Sequence, residues 1–392
     1  MQVITDTSDL EAFCTRLATH DFVTVDTEFM REKTYYAKLC LIQAASADEA
    51  AIIDPLADGI DLAPFLALLA NTNVLKVFHA ARQDLEIFYQ LMGTVPAPLF
   101  DSQVAAMACG YGDQIGYEPL VRQVTGGEVD KGSRFTDWSR RPLSKKQLIY
   151  ALGDVTHLVD VYLKLQDVLD QSGRAEWVAE EMEALADPAL YRTEPEEAYQ
   201  RLKLRGVRQR DVGPIVQLAA WREREAQARD LPRARVLKDE AIFEVARAAP
   251  EDEEALGRLR TIPQGFERSA AGKAILEAVR AGLATDKADL PRTANGQRGQ
   301  PAPADVVDLL RVLLKRQSEK HGVAPKLLAS AQDVEAIALS DDADVPAMRG
   351  WRRRVFGDLA LRLKAGEVAM TLQDGELTLI ERRGPPKTGV GT

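Results

Sequence analysis

Three short stretches of the chain place acidic side chains where they can act together. The first is Asp26-Thr-Glu28, near the end of the apolar run Phe22-Val-Thr-Val-Asp-Thr-Glu-Phe29. Side chains alternate faces along a strand, so residues 26 and 28 point the same way. Paired carboxylates repel, and hiding them from water is costly unless cations neutralise them. Hard divalent cations take oxygen ligands, which makes the pair a candidate metal cradle; a solvated strand edge is the alternative. The second stretch is Val77-Phe-His-Ala-Ala-Arg-Gln-Asp84. An apolar strand ends, the chain turns, and Asp84 falls in the first turns of a helix, where the helix dipole favours a carboxylate in any case. The third is Tyr150-Ala-Leu-Gly-Asp154. Positions i and i+4 share a helix face, so a phenol and a carboxylate are presented together. A buried tyrosine beside a surface aspartate is the plainer reading.

The elements that must carry these residues alternate between apolar runs and amphipathic stretches up to about residue 172. Strands are expected at 22–29, 39–43, 51–54 and 74–78, and helices at 62–70, 81–91 and from Phe100 onward, with Asp101 or Ser102 as cap. Apolar residues at helical spacing predict one long helix over 145–170. Strands mixed with helices give an α/β domain with a central mixed sheet over 1–172. Beyond it, helix formers dominate. The expected order is a helical connector (173–205), an all-α domain (206–286), a linker rich in Pro, Gly, Asn and Thr (287–301), a second all-α domain (302–382) and a disordered tail (383–392). Gly265-Phe266, Gly272 and Gly282 in the first helical segment parallel Gly350-Trp351, Gly357 and Gly366 in the second, which suggests a duplicated module.

With 392 residues, the chain exceeds what a single core usually supports. Its composition, 46% hydrophobic and 28% charged, is that of a folded globular protein. No stretch is long and apolar enough to span a membrane, and the N-terminus lacks the basic and apolar regions of a secretory signal, so a cytoplasmic location is expected. Cys14, Cys40 and Cys109 are odd in number, far apart and without CxxC spacing, which points to packing rather than disulfides or zinc. The net charge of −10 argues against a nonspecific nucleic-acid coat, although it leaves a nuclease open, because bound cations reverse the charge locally. Gly265 to Lys273 lacks phosphate-loop spacing, and residues 110–116 miss dinucleotide-binding spacing by one, so no nucleotide cofactor is expected.

Taken together, Asp-x-Glu on a first strand, Asp opening a helix and Tyr-x3-Asp on a later helix resemble the three motifs of the DEDDy 3′→5′ exonucleases. Residues 22–29, Phe78-His-Ala-Ala-Arg-Gln-Asp-Leu85, Asp137-Trp-Ser-Arg-Arg-Pro-Leu143 and Tyr150-Ala-Leu-Gly-Asp-Val155 are most similar to its ribonuclease D branch. The helical segments resemble the paired HRDC modules of that branch. The resemblance implies a ribonuclease H-like fold and two divalent ions, Mg2+ or Mn2+. It implies that Asp26 bridges both ions, that Glu28 and Asp154 complete the first, which activates water, and that Asp84 serves the second. It also implies hydrolysis of RNA 3′ ends, including tRNA precursors, to nucleoside 5′-monophosphates; apart from the resemblance, a monomer is expected. Tyr150 would orient the attacking water, as a neutral donor or as a base; free tyrosine titrates near about 10.

Further candidates flank these motifs. Phe29 and Met30 either stack on the terminal base or pack in the core. His79 either touches a phosphate or caps its turn. Lys131, Arg134, Arg140 and Arg141 either contact phosphates or form a solvated basic face. Arg201, Lys203, Arg205, Arg208, Arg210 and Arg352-Arg-Arg354 are candidates for holding an RNA backbone. Two rival functions remain: a DNA exonuclease of the same fold, and a noncatalytic RNA-binding adaptor.

Overall fold

The computed structural model of the chain describes residues 2–129, 132, 136–291 and 301–382. Lys131 and Arg134, the middle of the expected linker and the expected tail lie outside the described residues.

Six strands form one sheet: β1 (Gln2–Ile4), β2 (Phe22–Met30), β3 (Lys38–Ala45), β4 (Ala50–Ile53), β5 (Leu75–Phe78) and β6 (Leu99–Asp101). Their order is β1-β4-β3-β2-β5-β6, with β3 antiparallel to both neighbours and the other pairs parallel. This is the expected mixed sheet. Around it lie α1 (Thr7–Leu17), α2 (Ala63–Ala70), α3 (Arg82–Met92), α4 (Ser102–Ala108), α5 (Tyr117–Thr125), α6 (Lys145–Ser172) and α7 (Ala175–Leu185). Central strands are covered on both faces, which is why β4 reads as an unbroken apolar run and β5 is broken only by Lys76, whose buried ammonium donates to the carbonyls of Asn71, Val74 and Ala97. β1, β6, α1 and α5 do not stand out in the sequence; three-residue strands carry too little periodicity to do so.

Two local devices matter for the site. A bulge shifts the register of β2 against β3 just past the acidic pair: Glu28 faces Leu41, and pairing resumes with Phe29 opposite Leu39 and Met30 opposite Lys38. α6 begins at a capping box in which Ser144 and Gln147 satisfy each other's backbone, and it ends at Gly173 in the left-handed conformation. That makes α6 a firmly bounded rod of 28 residues.

The first helical unit comprises α8 (Gln209–Ala228), α9 (Arg233–Val236), α10 (Asp239–Ala248), α11 (Glu253–Gly257) and α12 (Ala270–Ala284), around its own core of Leu218, Ile242, Val245, Ile275 and Val279. The second repeats the order of long, short and medium helices in α13 (Ala304–His321), α14 (Pro325–Leu328) and α15 (Ala331–Leu339). It then runs from α16 (Gly350–Arg352) through a π-helical turn (Arg353–Gly357) into α17 (Asp358–Lys364). Two of the paired glycines play matching parts. A Cβ on Gly272 would meet the Glu267 carbonyl at 2.5 Å, and one on Gly357 would meet the Ala347 carbonyl at 2.6 Å. Gly282 and Gly366 differ: the former lets α12 touch α8 backbone to backbone at Gly213, whereas the latter is a left-handed helix end.

The expectation of an all-α second unit over 302–382 needs correction. The segment closes with a hairpin, β7 (Val368–Gln373) and β8 (Glu376–Glu381). Asp374 and Gly375 both have positive φ, as a two-residue hairpin turn requires, and Asp-Gly is the sequence signal that marks it.

The two units dock differently. The second shares the core of the sheet domain: Trp177 of α7 stacks on Trp351 at 4.2 Å and 2°, and Arg352 pairs with Glu181. The first meets the segment after β2, where the Tyr35 hydroxyl donates to Glu223 and Arg233 lies 4.6 Å over the Tyr35 ring.

Gly213→Ala places a methyl group against the Gly282 carbonyl and must force α8 from α12. Overpacking of this kind costs about 1–3 kcal/mol, and the expected result is a lowered unfolding midpoint by calorimetry.

Candidate active site

The four carboxylates arrive from three elements. Asp26 and Glu28 lie on β2, Asp84 in the first turn of α3, and Asp154 on α6 one turn beyond Tyr150. Carboxylate oxygens of Asp26, Glu28 and Asp154 lie within 4.8 Å of one another. Asp84 stands outside this group of three, close enough to Asp26 for the two charges to oppose each other. Thr27 sits between the two acidic residues of β2, faces the other way, and donates its hydroxyl to Asp84. The strand therefore supplies two ligand candidates from one face and anchors a third from the other.

The electrostatics follow from this crowding. Burial, and then the charge of Asp154, push the Asp26 carboxyl well above the usual carboxylate range. Burial, and then the charge of Asp26, do the same to Asp84, while the hydrogen bond from Thr27 works against the shift. Such a cluster holds together only if protons or cations relieve it. The donor set is oxygen alone, with no cysteine or histidine in the cluster, and this fits hard divalent ions. Across the strand register from Asp26 sits Gln43, fully buried, with neither amide atom hydrogen-bonded.

Asp154 is held from both sides. The Tyr117 hydroxyl donates to the Gly153 carbonyl at 3.0 Å, and the Thr24 hydroxyl donates to the Val155 carbonyl at 2.9 Å. Thr24 shares its face with Asp26 and Glu28, so the strand that bears two carboxylates also fixes the helix that bears another. Asp84 depends on a second anchor. Asp101 accepts from the backbone N–H groups of Ala80 and Ala81 at 3.0 and 2.8 Å, and from Gln103 at 2.8 Å. It thereby caps α4 and braces the turn into α3, where Ala80 has φ of +56°. Thr24, Thr27, Tyr117 and the second task of Asp101 are not legible in the sequence. Their partners lie far away along the chain, and only the capping role of Asp101 has a local signal.

A cavity of about 710 Å³ opens over the cluster. Asp26, Glu28, Asp84, Tyr150 and Asp154 all border it, as do Phe29 and His79. Met30 does not. It packs against the apolar cluster that holds Cys40, Leu41 and Trp138, so the core alternative describes it; consecutive strand residues face opposite sides, which separates it from Phe29. His79 bonds Ser102 Oγ through Nδ1 at 2.9 Å and meets the edge of Tyr117; burial lowers its pKa to about 4, so it is neutral. Arg141 acts as a brace: it grips Asp54 with two bonds of 2.6 Å and the Cys40 carbonyl at 2.7 Å. Arg140 pairs with Asp137 on the surface. Tyr150 lies against Trp138, with ring centres 6.0 Å apart.

A mixed sheet with carboxylates converging from two of its helices and one strand defines a 3′→5′ exonuclease domain. The sequence profile of the 3′-5′ exonuclease family matches residues 1–170, and that of the HRDC domain matches residues 215–279. The chain is 52% identical over 382 residues to a ribonuclease D of Nitrobacter hamburgensis, covering 97% of this chain and 100% of that one. It is 49% identical to a ribonuclease D of Acidiphilium cryptum over 97% of both chains. Among solved structures it is similar to Escherichia coli RNase D, described as an exoribonuclease involved in structured RNA processing. That match has a TM-score of 0.80 and 29% identity over 93% of this chain and 98% of that one. The chain belongs to the ribonuclease D family and is a hydrolase of the 3′→5′ exoribonuclease type.

Two side chains that are not themselves ligand candidates should reveal the anchoring. Thr27→Val keeps the shape but removes the donor to Asp84. It should raise the Mn2+ concentration needed for half-maximal RNA hydrolysis by about 10–100-fold, while Thr27→Ser should not. Tyr117→Phe frees the Gly153 carbonyl and loosens Asp154. It should lower kcat by up to about 100-fold in steady-state assays with the circular-dichroism spectrum unchanged.

Proposed function

We propose that this chain removes nucleoside 5′-monophosphates one at a time from single-stranded RNA 3′ ends, tRNA precursors among them. The observation that carries the reading is the convergence of three carboxylates within 4.8 Å, with Asp84 and Tyr150 bordering the same cavity. Asp26, Glu28 and Asp154 would hold one divalent ion, Mg2+ or Mn2+, and Asp84 together with Asp26 a second. Ions bound there supply charge neutralisation and Lewis-acid polarisation of the scissile phosphate.

The protein's own groups do the rest. Tyr150, one turn before Asp154, directs its hydroxyl toward the water that attacks phosphorus. The P–O3′ bond breaks, leaving a new 3′-hydroxyl on the shortened RNA and a free 5′-monophosphate. Phe29 offers a face for the terminal base at the mouth of the cavity. His79, neutral and tied to Ser102, offers a hydrogen bond without adding charge. The repeated helix order supports reading the two helical units as a duplicated HRDC-like module that extends the RNA-binding surface.

Asp26→Ala should abolish release of mononucleotides from a 5′-labelled RNA, and Tyr150→Phe should slow it about 100-fold or more, both with unchanged folding. Full activity of the Asp26 variant would remove the metal assignment. Matched RNA and DNA oligonucleotides compared on the unaltered chain should show faster cleavage of RNA; equal or faster cleavage of DNA would reassign the substrate.

A further inference from the structure

A second and larger cavity, of about 920 Å³, lies beside the first between the sheet domain and the first helical unit. Its lining is unlike the rest of this acidic chain. Five arginines and four tyrosines border it, against two glutamates. Arg31 is paired with Glu86, Arg192 with Glu194, and Arg233 with the buried Glu223, whereas Arg82 and Arg201 have no ion-pair partner among the described residues. The groove therefore carries net positive charge in a chain whose formal charge is −10. Tyr36, 37% exposed, stands edge-on to Tyr35 with ring centres 4.7 Å apart, and its outer face is open to the groove. Tyr89 also lines the groove, its ring centre 6.1 Å from that of Tyr191.

The groove and the catalytic cavity share elements residue by residue. At the end of β2, Phe29 borders the cavity and Arg31 the groove; at the start of α3, Asp84 borders the cavity and Arg82 the groove. A polyanion whose end sits in the cavity has this groove directly beside it. Exposed arginines interleaved with aromatic rings hold a single-stranded backbone by charge and its bases by stacking, without regard to sequence.

We infer that this groove is a second RNA site, which grips the single-stranded segment several nucleotides upstream of the 3′ end while the terminal nucleotide occupies the carboxylate cavity. The inference rests on the exoribonuclease reading for the identity of its ligand. Arg201, rather than the whole run from 201 to 210, is the member of that basic cluster which faces the RNA.

The test is equilibrium binding of a fluorescein-labelled, unstructured 20-nucleotide RNA to the full chain in EDTA, followed by anisotropy across a salt series. The double variant Arg192→Ala/Arg201→Ala alters two exposed side chains and should bind about tenfold or more weakly. Its log–log salt slope should fall by about 1.4, because each phosphate neutralised on a single strand accounts for roughly 0.7. Arg192→Lys/Arg201→Lys should restore most of the affinity. Equal affinity and slope for parent and alanine variant, no binding by the parent, or equal competition by poly-glutamate of the same charge would each overturn the inference. Hydrolysis of a dinucleotide with Mn2+, too short to reach the groove, reports on the carboxylate site separately. Its failure with groove binding intact would remove the catalytic reading and leave the groove standing.

Discussion

Like charges forced together are the constraint on which this structure turns. Asp26 and Asp84 each feel the charge of a neighbouring carboxylate across a desolvated space, and each is held well above its ordinary pKa. Left to relax, such groups would separate or stay protonated. The protein instead fixes their backbones. The period of β2 aims two carboxylates one way and Thr27 the other. Thr24 and Tyr117 take hold of α6 on both sides of Asp154, and Asp101 braces the turn that delivers Asp84. The repulsion is kept rather than dissipated, which gives the site its appetite for hard cations.

The parts of this arrangement that sequence can disclose are those with short-range signatures. Alternation places Asp26 with Glu28, and helical spacing places Tyr150 with Asp154. The apolar runs locate four of the six strands. Order along the chain then ties the motifs to a family, and the similarity to known ribonucleases D bears this out. What stays hidden has its cause in distance. Thr24 is an unremarkable strand residue until α6 packs on it, more than a hundred residues later. Arg141 reads as either a phosphate contact or part of a solvated basic face, because charge alone does not reveal that Asp54 and three carbonyls already engage it. The closing hairpin is masked for another reason: Asp374-Gly375 is outweighed by the helical character of the preceding segment.

The two helical units, similar in helix order, are attached by different physics. The second is fused to the sheet domain by apolar burial and a tryptophan stack, so the two form one continuous core. The first keeps a core of its own and touches the sheet domain through a smaller contact at Tyr35, which packs on Ala226 and Val236 and hydrogen-bonds Glu223, Arg233 and, through its backbone, Asp230. Across this contact Asp230 accepts from the Tyr35 and Tyr36 backbone N–H groups and Glu223 from the Tyr35 hydroxyl, and these directional bonds fix how the two parts meet. The contrast gives the molecule one fixed wing and one wing set at a defined angle, with the arginine-lined groove in the crease.

The rod α6 has a consequence for how this architecture can vary. One end presents Tyr150 and Asp154 to the sheet. The other runs through Gly173 to Arg174, whose guanidinium bonds the carbonyls of Ala108, His321 and Gly322 and so fastens the second unit. A helix of 28 residues is about 42 Å long and advances about 100° per residue. Catalytic face and mounting face are therefore locked in phase. A single residue inserted between Asp154 and Gly173 would swing one face about a quarter-turn against the other, so the length of this segment is under tighter constraint than most of its side chains.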